Sequence, residues 1–205
     1  MRRNVFDVLA SAGGAVLVVV LVVAGCLLMW GYSFASSNVS SQLAQQQITF
    51  PTQAAFAHPV VGSEITPSMI PSVSQYAGQQ LTTGAQAETY ANDFIAVHLQ
   101  EIGGGKTYAQ LSAAALAQPK GSPAYTAAEA TAQTVFQGTT LRGLLLEAYA
   151  FSEFGLIALY AGIASFILAG LMAILVAMGL WHSRRVPENA QLTVHAPVER
   201  VLVDA

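Results

Sequence analysis

Residues 154–181 read FGLIALYAGIASFILAGLMAILVAMGLW and contain no charged side chain. An α-helix needs ~20 apolar residues to cross the hydrocarbon of a bilayer, and this run is longer. A second uncharged run, VLASAGGAVLVVVLVVAGCLLMW, occupies residues 8–30. Trp30 and Tyr32 close the first span and Trp181 the second, as expected of rings that settle at the membrane–water interface. The pair predicts an all-α membrane protein with two transmembrane helices, over 8–32 and 154–181.

Composition agrees with that reading. Of 205 residues 54% are hydrophobic and 9% charged, where soluble domains carry roughly 25% charged residues. Mean hydropathy is +0.51. The net charge of −3, with eight Lys and Arg in all, leaves no basic stripe for a phosphate backbone, so no nucleic-acid partner is expected. Cys26 is the single cysteine, which excludes an internal disulfide.

The arginines orient the spans. Arg2 and Arg3 precede the first and Arg184 and Arg185 follow the second, while residues 33–153 hold only Lys106, Lys120 and Arg142 against seven acids. Positive charge stays on the cytoplasmic side. The expected layout is a cytoplasmic N-terminus (1–7), an extracytoplasmic segment between the spans, and a cytoplasmic tail (182–205). Val23-Ala24-Gly25-Cys26 also resembles a lipobox, which would make Cys26 a lipidation site. Against it, apolar residues continue through Leu27, Leu28, Met29 and Trp30, where a lipoprotein normally turns polar.

The extracytoplasmic part divides by composition. Residues 33–84 are rich in Ser, Gln and Thr, with Pro51, Pro59, Pro67 and Pro71 too close together for a long helix. This predicts an extended arm, with one short helix near Val39 to Gln47. The clusters at 48–50 and 58–61 suggest that the arm lies against something. Residues 85–153 read as a mainly helical segment. Ala87, Ala91, Phe94, Ile95, His98 and Ile102 fall on one face of the first helix. The second ends before Pro119, and the third opens at Pro123 and breaks at Gly138. Thr139 to Trp181 contains no proline, so a single helix of about 43 residues, or about 65 Å, is the alternative there.

Between the first two helices lies EIGGGKTYAQL, residues 101–111. A phosphate-binding loop needs G-x-x-x-x-G-K-[ST] between a strand and a helix. Here Gln100 stands five residues before Gly105, and a helix precedes the glycines. The expected role is a helix stop with Thr107 capping the next helix, so no nucleotide is anticipated. His98 and Glu101 form one His-x-x-Glu pair without the second copy that a di-metal helical site requires, so no metal or cofactor is expected. A hydrogen-bonded core histidine is the simpler role. No G-x-S-x-G elbow surrounds a serine, and nothing else marks an enzyme. Arg142 either snorkels toward head groups or pairs with Glu88, Glu101 or Glu147, which would make His98, Glu101 and Arg142 a polar cluster.

In the second span Ala161, Ser165, Ala169, Ala173 and Ala177 recur every four residues. Small residues let helices approach closely. Ala10 with Gly14 and Ser11 with Ala15 offer a matching patch on the first span. The two spans packing together, a partner membrane protein and a homo-oligomer all remain open.

The segments QQQITFP, YAGQQLTTGAQAETYANDFIAVHL, GGGKTY and FQGTTLRGLLLEAYAF resemble a family of small actinobacterial membrane proteins with two spans and an exported helical segment. Members are often labelled aromatic ring-opening dioxygenase. That label implies an iron site, for which this chain has neither the histidines nor the acids at suitable spacing, and the family has no established activity. The resemblance therefore implies location and architecture. The expected function is a structural or accessory protein of the plasma membrane that presents its outer helices to a partner complex or the cell envelope. The alternative is a homo-oligomeric pore or transport-assisting subunit.

Overall fold

A computed structural model describes residues 3–59 and 65–185. Among these the chain is all-helical, without strands beyond one isolated antiparallel bridge between Thr49 and Gln80. Two long helices dominate: α1 (Arg3–Gln45) and α7 (Pro123–Ser183). Both are long and apolar enough to cross a membrane. Between them come α2 (Gln53–Ala57), α3 (Ile70–Val73), α4 (Gly84–Thr89), α5 (Ala96–Gly103) and α6 (Tyr108–Leu116). The chain divides into two units, residues 1–29 with 160–205, and residues 30–159.

In the first unit α1 and α7 pack antiparallel. The inward positions of α1 are Asp7, Ser11, Gly14, Val18, Leu21, Gly25 and Leu28, and those of α7 are Gly162, Ser165, Ala169, Met172, Val176, Gly179 and Ser183. Spacings of three and four alternate, a repeat of 3.5 that keeps two helices in contact through a left-handed supercoil. Glycines let the backbones close in. A Cβ added at Gly14 would lie 2.7 Å from Val176, at Gly25 2.9 Å from the Phe166 ring, and at Gly179 2.7 Å from the Ser11 hydroxyl.

The second unit is built around a core of Val39, Leu43, Phe50, Phe56, Met69, Val73, Leu81, Ala87, Ala91, Phe94, Ile95 and Leu145. Seven of these, from Val39 to Leu81, belong to the segment 33–84 expected to be an extended arm. The arm is instead folded. Helix α1 continues through residues 33–45 and stops at Gln47, whose φ of 53° is left-handed. The chain then makes a clasp in which the Phe50 amide donates to the Gln79 carbonyl (2.9 Å) and the Leu81 amide to the Ile48 carbonyl (2.9 Å). The Gln80 side chain donates to the Ala44 carbonyl (3.0 Å), which also accepts from the Gln47 amide (3.1 Å), tying the clasp to the end of α1. Prolines forbid a long helix here but not short ones, and Thr52 caps α2 by accepting from the Ala55 amide.

Helix α4 starts at a capping box: Thr83 accepts from the Gln86 amide while Gln86 accepts from the Thr83 amide. A π-helical turn, Tyr90–Ile95, joins α4 to α5. The wider turn inserts a residue and shifts the buried face one position along. Ala87, Ala91, Phe94 and Ile95 are buried as their spacing predicts, but Gly103 takes the inward position expected for Ile102, which is exposed. Helix α7 runs through Gly138 unbroken, because the missing side chain there admits Leu99: a Cβ would lie 2.5 Å from that leucine's Cδ2.

Candidate functional site

The glycine loop closes a helix. Gly104, at φ 58°, follows α5, and the Gly105 amide donates to the Gln100 carbonyl (2.9 Å) while the Gly104 amide donates to the Glu101 carbonyl (3.3 Å). This pair of bonds is the Schellman arrangement of a helix end. Thr107 and Gln110 then form a second capping box, with the Thr107 amide donating to Gln110 Oε1 (2.9 Å). Two of the amides a phosphate would use are thereby engaged within the loop and the first turn of α6.

His98 ends a ladder of rings. Phe50 touches Tyr76 and Tyr90, Tyr90 stacks on Phe94 at 4.7 Å, and Phe94 meets His98 at 4.6 Å. Tyr90, Phe94 and His98 follow one another at four-residue intervals, Phe94 buried and the other two half-buried. His98 Nδ1 lies 2.8 Å from the Phe94 carbonyl, which can only accept, so Nδ1 donates there. Its Nε2 is buried with no hydrogen-bond partner. Glu101, one turn on, is exposed.

Arg142 meets neither alternative anticipated for it. Its Nη2 donates to the Asn92 side-chain oxygen at 2.8 Å, an amide on the π-turn and not a carboxylate, and its Nε is buried without a partner. Asn92 carried no sequence signal, because only the widened turn aims it at α7. The expected cluster of His98, Glu101 and Arg142 is therefore replaced by an Arg142–Asn92 bond that ties the π-turn to α7. Close by, the Tyr149 hydroxyl is held above its ordinary pKa by the negative charge of Glu88 and, next, of Glu153, with burial adding to it. Among the described residues no three His, Cys, Asp or Glu side chains converge in a way that suits a metal ion.

The small-residue stripe is split. Ala169 is buried and Ser165 half-buried on the seam, whereas Ala161, Ala173 and Ala177 are exposed. Steps of four advance 400° around a helix, so a four-residue stripe drifts 40° per step off any straight contact, while alternating steps of three and four return to it. On α1, Gly14 and Ser11 face α7 and Ala10 and Ala15 face away. Gly25, part of the lipobox-like run, is a contact residue of this seam, and Cys26 beside it is exposed. The seam also holds a group the sequence did not single out: Asp7, whose Oδ2 is buried without a hydrogen-bond partner.

The second unit carries an open groove of about 380 Å³ between the last turns of α1 and the middle of α7, bordered by Asn38, Gln42, Leu144 and Phe151. No protein-family model, curated protein or solved structure matches the chain.

Proposed function

We propose that the chain is an accessory protein of the plasma membrane, held by α1 and α7, whose second unit is presented on the extracytoplasmic side to a partner complex or the cell envelope. The observation that carries the reading is the outer surface of the helix pair. Only 6% of the most apolar window of either long helix is buried, and Val16, Val19, Ile167, Leu171 and Ile174 are each more than half exposed. So large an apolar exterior is stable when hydrocarbon, not water, surrounds it. The second unit, in contrast, has its own core and its own capped helices, as an aqueous domain requires. The arginines at 2, 3, 184 and 185 support cytoplasmic termini. The resemblance to small actinobacterial two-span proteins supports the same layout.

The test is accessibility in intact cells. With Cys26 replaced by serine, a thiol reagent that cannot cross membranes is expected to modify Lys120→Cys and to spare Arg185→Cys until the cells are opened. The reverse pattern overturns the topology. Purification in mild detergent then tests the accessory role: a stoichiometric second protein is expected, and a chain recovered only as itself contradicts it.

A further inference from the structure

We propose that the groove on the second unit receives an amphipathic helix of another protein, with a lysine or arginine placed against Glu147; the proposal rests on the accessory reading and deepens it. The floor is apolar: Val39, Leu43 and Leu145 are buried and Leu141 half-buried. One wall, on α7, is apolar and protrudes, with Leu144 59% and Phe151 41% exposed. The other is a row of amides, Asn38 and Gln42 on α1 and Gln46 just past its end, spaced four residues apart. An apolar floor with one apolar and one polar wall matches a helix that carries an apolar stripe and a polar flank. The lining runs over residues 38–46 on one side and 141–151 on the other, about 12–15 Å of helix, which suits roughly three helical turns.

Charge selects the occupant. Glu147 stands between Leu144 and Phe151 and is in no ion pair among the described residues. It belongs to a segment, residues 33–153, with seven acids against three cations. A second copy seated in the groove would bring one net-negative segment toward another. A partner with a cation between its apolar anchors neutralises that carboxylate at the edge of an apolar contact. The lining residues of α7 all precede the proposed span at 154–181, so a protein helix and not an acyl chain is the fitting apolar occupant.

The experiment uses the full chain in the membranes of its own cells, with the photoreactive residue benzoylphenylalanine in place of Leu144, or of Leu116 on α6 as a reference site. Leu116 is 65% exposed and takes no part in the groove. Illumination at 144 is expected to give an adduct whose cross-linked peptide comes from a different protein. That peptide should have apolar residues three or four apart and at least one Lys or Arg. Glu147→Lys should lower the yield at least about tenfold, with the melting transition of the purified variant unchanged. A cross-linked peptide from this same chain, an acidic peptide, lipid adducts alone, or a yield indifferent to Glu147→Lys each overturns the proposal. Adducts to another protein at 116 but not at 144 reject the groove while leaving the accessory reading intact; adducts at neither site reject both.

Discussion

Replacing Gly162 by valine should pry apart α1 and α7 in the first unit. A Cβ at this position would lie 3.3 Å from Met29 and 3.4 Å from the carbonyl oxygen of Gly25. Valine adds two methyl groups beyond that Cβ, and a backbone oxygen cannot swing aside as a side chain can. Overpacking of this kind costs about 1–3 kcal/mol. Gly13 supplies the control, because nothing lies within 4 Å of a Cβ there. The same exchange at both sites carries the same change in helix propensity, so the difference between them isolates the seam. The reporter is Ala169→Cys in a Cys26→Ser background, since Ala169 is 4% exposed on the seam. A thiol reagent reaches it only when the helices part, so the modification rate in lipid nanodiscs follows the opening equilibrium. A cost of 1–3 kcal/mol raises that rate by about 5- to 150-fold. Gly13→Val should change it by less than about twofold. Equal rates for the two variants would show that the glycine contacts do not hold the seam.

In the second unit, Phe50→Ala empties a site that is 1% exposed at the junction of the clasp and the ring ladder. It should destabilise the unit by about 3–5 kcal/mol, read from the melting transition or from the onset of proteolysis. Thr83→Ala removes the side-chain half of the box that starts α4 and should cost about 1 kcal/mol by the same assays, with Thr107→Ala behaving alike for α6. Asn92→Ala deprives Arg142 of its partner beside an already unpaired Nε and should cost about 1–3 kcal/mol, whereas a surface pair would cost little. Tyr149 titrates above the usual tyrosine value, chiefly because of Glu88, so Glu88→Gln should lower its midpoint in an ultraviolet difference titration. A raised folded-state value means that the unfolded chain loses this proton first, so the group's contribution is complete below pH ~10 and is lost as pH rises through the folded value. An unmoved midpoint in the Glu88→Gln variant would contradict the assignment of cause.

The turns and helix starts were legible because each rests on a few adjacent residues. Gly103-Gly104-Gly105 followed by Lys106-Thr107 spells a stop and a cap, and the Schellman bonds and the Thr107–Gln110 box are that stop and that cap. Pro123 opens α7 as expected. The charge of Arg142 marks it out in the sequence and points to an acid as its partner. Asn92 lies fifty positions away in sequence and is brought round only by the π-turn. A regular helix would turn Ile102 inward, and the one inserted residue gives the place to Gly103. Prolines at 51, 59, 67 and 71 argued correctly against a long helix and misled about extension, since Phe50, Phe56, Met69, Val73 and Leu81 had apolar surface to bury.

What the amino-acid order determined alone is the class of the protein: two uncharged apolar runs, each long enough to span, and a more polar stretch between them. Those properties depend on composition within a single segment and need no partner. The tertiary structure decided which faces meet. Glycines that look like helix breakers, at 138, 155 and 162, became points of close approach because Leu99, Ala35 and Met29 fill the space a side chain would have taken. The small-residue stripe lost three of its five members to the outside because helices in contact follow a 3.5-residue repeat, and the folded segment before Gly84 joined the core because only distant residues supplied the rest of it. Contacts between remote positions are a property of the packed chain, and no local spacing encodes them.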